Sequence, residues 1–229
     1  IDQNLPKFFR NNKQFLDNVL ERARSRHKFL ELKEATNLGK KSKRVKVEKL
    51  LDANARKDRD KCTLFICEGD SAIGGLRSAR DKLYQGGIAL RGKPMNVSQA
   101  RIKEVLENEE FSNIMASVGL IIGQPINEEE LRYSKIVFFA DSDVDGGHIN
   151  TLLINFFYSY WPEMFTKKMI FVAKAPLFEV ITNKGTFYAD NQEQLDALKE
   201  KKEIQIKEIQ RNKGLGEMSA EAFKYVMQK

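Results

Sequence analysis

The apolar positions of this chain follow two periods, one helical and one extended. Phe15, Leu16, Val19, Leu20 and Ala23 recur at helical spacing, which predicts an amphipathic helix over about residues 10–35 that docks on another surface. Thr63 to Ile66 is a short β-branched and apolar run of the kind that forms a buried strand, and it ends at Glu68, Gly69, Asp70 and Ser71. GGIALRGKPMN reads as a second strand delivering Arg91 and Lys93 into a glycine-containing loop. Helices are expected from Ser98 to about Asn108 and from Phe111 to Gly119. Lys135 to Ala140 is the central strand, and Ile149, Leu152, Leu153, Phe156, Phe157 and Tyr160 then mark a helix with its apolar face on the sheet. Met169 to Ala173 reads as a further strand, so strand, helix and strand in succession imply a parallel right-handed crossover. Leu177–Ile181 and Thr186–Ala189 form an expected hairpin, followed by a helix over Gln192–Lys199, a strand near Ile204–Ile209 and a last helix from Ser219.

These elements define an α/β chain: a Rossmann-like parallel sheet flanked by helices, with a helical and basic amino-terminal arm and an α+β tail. The expected division is residues 1–61 for the arm, 62–176 for the sheet domain and 177–229 for the tail. At 229 residues and 41% hydrophobic the chain is long enough to bury a full core and is not a disordered sequence. The longest apolar stretch, Ile149 to Trp161, is interrupted by asparagines and a serine and is too short to span a bilayer. With no visible signal peptide, a soluble intracellular protein is expected, and the start without methionine suggests a fragment or subunit. Cys62 and Cys67 flank TLFI at an odd separation, so on a strand they face opposite ways and are expected to be separate buried thiols.

Charge complicates this picture. Lysine and arginine outnumber the acids 39 to 32, a net +7, yet the most distinctive stretch is the acidic IVFFADSDVDGGHI of Ile136–Ile149. The excess positive charge must lie elsewhere, and a polyanionic partner fits that separation as well as a solvated basic surface does. Ten basic against four acidic residues in Lys40–Lys61 suggest an arm that crosses a phosphate backbone, or equally a solvated connector.

Asp141, Asp143 and Asp145 share a side if the loop leaves the central strand extended. Two carboxylates about 4 Å apart repel by roughly 4 kcal/mol at an effective dielectric of about 20, and adding Glu68 makes a cation necessary. Oxygen-only ligands point to a hard ion, Mg²⁺ before Mn²⁺ or Ca²⁺. D-S-D-V-D-G also opens like an EF-hand, but Leu152 stands where that loop needs a bidentate glutamate, and a strand precedes it. An incidental acidic turn is the remaining alternative. Ser71 is expected to cap the helix that follows Glu68.

CTLFICEGDSA, LRGKPMNV, FFADSDVDGGHI and RNKGLGEM stand in the same order as in the B subunit of DNA gyrase and its relatives. From about Leu50 to Met218 the chain thus resembles the TOPRIM region of type IIA DNA topoisomerases. Carried over by position, the resemblance makes Glu68, Asp141, Asp143 and Asp145 the metal-binding acids, with two Mg²⁺ ions implied. Glu68, Asp141 and Asp143 would hold the ion at the scissile phosphate; Asp143 and Asp145 would share the second on the neighbouring phosphate. Glu68 would also act as general acid or base for the 3′ oxygen. Lys93 and Arg211 join it as implied catalytic residues, and Arg91, Lys93, His148, Arg211 and Lys213 as implied contacts to double-stranded DNA. A purely structural role for His148 stays open.

The family reaction is reversible transesterification by a tyrosine, and none of Tyr84, Tyr133, Tyr158, Tyr160, Tyr188 and Tyr225 has the family tyrosine's context. The resemblance therefore implies a tyrosine-bearing partner subunit and a heteromeric two-fold assembly. It also implies ATP hydrolysis in a region outside this chain, since no Walker loop is present. The compartment would be the bacterial or phage-infected cytoplasm, or a eukaryotic nucleus. Bacterial gyrases read GDSAGG and DGSHI where this chain has GDSAIGG and DGGHI, so Gly147 lacks a hydroxyl the family usually carries there. Two other readings share the acids: another TOPRIM enzyme such as a primase or nuclease, and a non-catalytic metal- or DNA-binding module.

Overall fold

The computed structural model describes residues 8, 10–42, 47–141 and 143–228. Strands β1 (Thr63–Glu68), β2 (Gln85–Leu90), β3 (Lys135–Phe139) and β4 (Ile170–Val172) form a parallel sheet in the order β2-β1-β3-β4. Both faces are covered, which explains why β1 is a continuous apolar run. Cys62, Leu64 and Ile66 face one core and Phe65 and Cys67 the other, so the two thiols are buried on opposite sides, as expected.

The first core lies under α3 (Ile102–Glu107), α4 (Glu109–Val118) and α5 (Val144–Tyr160). Its centre is aromatic: Phe111 stacks on Phe156 at 4.1 Å, and Phe157 packs on Phe138 of β3. The second core lies under α2 (Gly69–Ala79) and α8 (Ala220–Met227). Here Phe223 meets Phe139 edge-on at 5.4 Å and crosses Gly75, where any Cβ would lie 2.3 Å from its ring. The last helix, which follows the tail in sequence, is therefore part of the main core.

The chain leaves β1 through α2 to reach β2, and leaves β3 through α5 to reach β4. These two crossovers run outward in opposite directions, so with a common right-handed sense their helices must lie on opposite faces. The sheet thus has its switch point between β1 and β3, and a crevice opens at their carboxyl ends. A separate antiparallel sheet, β6-β5-β7, consists of β5 (Phe178–Thr182), β6 (Gly185–Ala189) and β7 (Ile206–Arg211). It packs Phe178 and Val180 on Leu195 and Leu198 of α7 (Gln192–Lys199), while a one-turn helix α6 (Glu163–Thr166) ends the crossover to β4.

Two expectations for the amino-terminal region change. The first helix, α1 (Lys13–Ser42), is longer than its apolar spacing suggests, and among the described residues its packing on the sheet domain is at Leu32 and Thr36. There Leu32 packs on the first core and Thr36 Oγ1 donates to the carbonyl of Leu32. Phe15, Val19, Leu20, Phe29 and Leu30 remain exposed, Phe29 by 66%, and a cleft of about 1000 Å³ separates Arg24 and His27 from Tyr158 and Tyr160. The apolar spacing of residues 15–23 is not sustained along the 30 residues of the helix, so the expected amphipathic face does not extend over it.

The basic segment 40–61 includes 43–46, which lie outside the described residues. Its later part is neither arm nor connector, because Ala53 and Ala55 are buried and Leu51 pairs with Gly87. Asp52 anchors it by accepting from Tyr133 Oη at 2.6 Å and pairing with Arg132 and with Arg59 at 3.5 Å. Tyr133, fully buried, accepts from Ala53 N–H at 3.0 Å and passes over Gly86, where a side chain would strike its hydroxyl.

Burial raises the pKa of Asp52, but the Tyr133 hydrogen bond and the charges of Arg132 and Arg59 outweigh it, leaving the carboxyl below its ordinary 3.8. A depressed carboxyl stabilises the fold fully above that ordinary value and stops doing so as pH falls through the lower native one. Asp52→Asn should therefore lower stability by about 1 kcal/mol at pH 7, the low end for charge-assisted bonds because the site is partly exposed. Urea unfolding at several pH values should show that difference shrinking below pH 3.8; a constant difference would contradict the network.

Candidate functional site

Glu68 is the last residue of β1, and Gly69, at φ +77°, turns the chain directly into α2. Asp141 stands two residues beyond the end of β3, the strand beside β1 in register. Adjacent parallel strands therefore bring two carboxylates to the crevice, and Asp141 N–H donates to Glu68 Oε2 at 3.1 Å. β2 flanks β1 on the other side with Leu90 opposite Glu68, so the RGK loop emerges at the same edge. Lys93 Nζ from that loop reaches Asp145 Oδ1 at 3.1 Å.

The aspartates do not alternate along an extended loop, as their spacing predicts. Asp143 is the N-cap of α5, accepting from Gly146 N–H at 2.8 Å, and Asp145 already belongs to the first helical turn. The helix begins early because Asp143 can satisfy an otherwise free amide and Gly146 lets the turn close. A Cβ at Gly146 would lie 2.0 Å from the Asp141 carbonyl oxygen. Ser71 differs too: it lies inside α2, and Glu68 is the N-cap without a side-chain bond.

A contact that the sequence pattern does not announce comes from the tail. Leu215 N–H, in the RNKGLGE segment, donates to Asp141 Oδ1 at 2.7 Å, and Gly214 packs against the same carboxylate. Two glycines in that segment are the only sequence signal that its backbone approaches another group closely. Arg211 closes β7 and Lys213 begins the turn, both exposed, so they sit on the segment that touches Asp141. Arg91 is also exposed at the end of β2, and His148 is exposed on α5 with no hydrogen bond or ion pair among the described residues.

Electrostatically the crevice is strained. Burial raises the Glu68 pKa; the Asp141 N–H opposes this, and the charges of Asp141, Asp143 and Asp145 push it up further, so the net shift is upward. Lys93 is the ion-pair partner of Asp145, and none of the other three acids has one among the described residues. Among the described residues no three acidic, histidine or cysteine side chains converge as a ready-made metal cage. The directions of the bonds explain why: Asp141 turns to Leu215, Asp143 to its own helix and Asp145 to Lys93. The donor chemistry nevertheless fits a hard divalent cation, since all four groups are carboxylates and the charge on Glu68 lacks compensation.

The fold has counterparts among known proteins. Residues 63–175 match the Toprim domain model. The parallel sheet and its flanking helices are a Toprim fold. The chain is 40% identical over 173 residues to the DNA gyrase B subunit of Thermotoga maritima, covering 76% of this chain and 27% of that protein. Against the DNA gyrase B subunit of Treponema denticola it is 36% identical over 227 residues, covering 95% and 35% respectively. The chain thus spans about a quarter to a third of the length of the curated relatives it matches. Its fold is similar, with a TM-score of 0.69 and 30% identity over 80% of this chain, to the crystal structure of the Plasmodium falciparum topoisomerase II DNA-binding, cleavage and re-ligation domain, of which it covers 26%.

A carboxyl whose native pKa is raised stabilises the fold below its ordinary value, 4.5 here, and penalises it once pH rises through the native value. At pH 7.5 without divalent cations, Glu68→Gln should raise the melting temperature by about 2 °C, keeping an oxygen for Asp141 N–H while removing the penalty. A lower melting temperature would show that the acids do not repel as their placement requires.

Proposed function

We propose that this chain is the metal-binding half of the DNA cleavage and religation core of a type IIA DNA topoisomerase. The observation that carries the reading is the union of Glu68 and Asp141 at the switch-point crevice, with Asp143, Asp145 and Lys93 beside them. Four carboxylates with one matching cation suit a site completed by Mg²⁺, with Mn²⁺ or Ca²⁺ as substitutes. Glu68, Asp141 and Asp143 would hold one ion, and Asp143 and Asp145 a second. When bound, such ions neutralise charge on a phosphodiester and on the oxygen that leaves it.

The chain's own groups carry the remaining steps. Glu68, at the carboxyl end of β1, would give a proton to the 3′ oxygen as the strand breaks and take it back on religation. Lys93 and Arg91 from the RGK loop, and Arg211 and Lys213 from the tail, flank the crevice as exposed cations that bind the backbone of double-stranded DNA. Lys93 and Arg211, on the two segments that reach Asp145 and Asp141, bear on the reacting phosphate. His148, exposed on α5, contacts the neighbouring phosphate.

The tyrosine nucleophile belongs to a partner subunit. Tyr133 is buried against Asp52, and Tyr188 is stacked on Tyr225 at 4.2 Å, so neither is presented to the crevice. ATP hydrolysis belongs to a region or subunit outside this chain, and the working enzyme is a heteromeric two-fold assembly. Its work on DNA takes place in a cytoplasm or a nucleus; among the described residues no helix is long and apolar enough to cross a membrane.

The test is reconstitution of the full-length protein with the tyrosine-bearing subunit and supercoiled plasmid. Mg²⁺-dependent double-strand breaks with protein covalently attached to the 5′ ends are expected, and Glu68→Ala should reduce them by at least about 10²-fold. Cleavage without the partner, free 5′ ends, or full activity of Glu68→Ala would overturn the reading.

A further inference from the structure

Glu179 is an acid in the wrong place for a surface strand. It lies on β5, is 4% exposed, and has no ion-pair partner among the described residues. Neutral donors satisfy it instead: Asn212 Nδ2 at 3.0 Å and Ser219 N–H at 3.1 Å donate to Oε1, and Ser219 Oγ donates to Oε2 at 2.6 Å. A buried carboxylate is costly unless its oxygens are occupied, and here the donors come from two points seven residues apart.

Those two points are the ends of the segment that reaches the acidic crevice. Asn212 is itself buried, and Nδ2 also donates to the Pro176 carbonyl at 3.1 Å, while Ser219 caps α8 through Ala222 N–H at 3.0 Å. Between them Leu215 is buried in the second core, a 3-10 turn runs over Leu215–Glu217, and Lys213 N–H donates to Glu217 Oε2 at 3.0 Å. The result is a closed turn whose Leu215 N–H is aimed at Asp141 Oδ1.

We propose that Glu179 is a positioning residue for the metal site: by pinning Asn212 and Ser219 it sets the Leu215 amide that orients the Asp141 carboxylate toward its ion. This rests on the reading of Asp141 as a metal ligand. A donor that holds one oxygen of a ligating carboxylate leaves the other pointed in a single direction, and loss of such support lowers metal affinity by about 10- to 100-fold.

Conservative replacement separates the hydrogen bonds from the charge. In Glu179→Gln the amide oxygen can keep both donors of Oε1, and the NH₂ group can donate to Ser219 Oγ, whose hydroxyl is free to rotate. Glu179→Ala removes all three bonds. Mn²⁺ binding to the 229-residue chain, read from the free-ion electron paramagnetic resonance signal, should weaken about tenfold in Glu179→Ala and stay within about twofold of wild type in Glu179→Gln. Amide exchange should quicken across residues 213–218 in the alanine variant only, with β1 protected as in wild type.

A folded Glu179→Ala chain that binds Mn²⁺ as wild type does would overturn the proposal while leaving the metal reading intact. Equal weakening in Glu179→Gln would overturn it as well, since the charge and not the bond geometry would then matter. Absence of Mn²⁺ binding by the wild-type chain would remove the metal reading and this proposal with it.

Discussion

The hydrogen bond from Asp141 N–H to Glu68 joins the ends of two neighbouring strands at the point where the sheet reverses its winding. Carboxylates placed there repel one another, and two features of the fold oppose that repulsion. α2 begins immediately after Glu68 and α5 begins at Val144, so the positive ends of two helix dipoles stand at the same crevice. Backbone amides of Asp141, Gly146 and Leu215 each donate to one acid. The fold sets partial charges against the acids and, among the described residues, a full positive charge at Asp145 alone, through Lys93.

That distribution constrains the residues that surround Asp141. Gly146 passes so close to its carbonyl that no side chain is admissible, and Gly214 lies against its carboxylate. The close approach of the tail has a topological cause. After β7 the chain must return to the second face of the parallel sheet, where α8 supplies Phe223 to the core formed with Phe139 and Leu76. The connection from Arg211 to Ser219 therefore runs past the carboxyl edge of β1 and β3, and burial of Leu215 holds it there. Packing of a helix thus brings a backbone amide to an acid 74 positions earlier in sequence.

Much of this is legible from local pattern, and the departures have a common cause. Every strand of the parallel sheet and the helix Gln192–Lys199 follow from composition and period: burial on both faces makes β1 continuously apolar, and coverage of one face makes helices periodic. The acids are recognisable by type and neighbourhood, but an early helix start at Asp143, not alternation along an extended loop, decides which way its carboxylate turns. A side chain that can cap competes with extension, and period-two reasoning does not contain that competition. The same holds for Asp52 and Glu179: Arg59 is a local partner of Asp52, but its others lie 80 and 81 positions away, and those of Glu179 33 and 40. Nothing near Asp52 in sequence distinguishes it from the solvated charges around it; Tyr133 and Arg132 do so only once β3 is beside β1.

The amino-terminal helix shows the opposite limit. Phe15, Val19 and Leu20 of its apolar spacing are exposed, and among the described residues Leu32 and Thr36 contact the sheet domain, through the first core and the Ile122 carbonyl. Gly123, at φ +83°, brings its backbone beneath Thr36, and a side chain there would lie 2.7 Å from the threonine hydroxyl. The described part of this contact is polar at its edge, where Thr36 Oγ1 lies, on a helix of 30 residues, about 45 Å long. In such a helix the backbone ladder and the residues near Leu32 carry the order, whereas in the sheet domain order comes from two cores that meet across β1 and β3. The acidic crevice sits where those two cores share their strands, so the backbone that carries Glu68 and Asp141 is held from both faces.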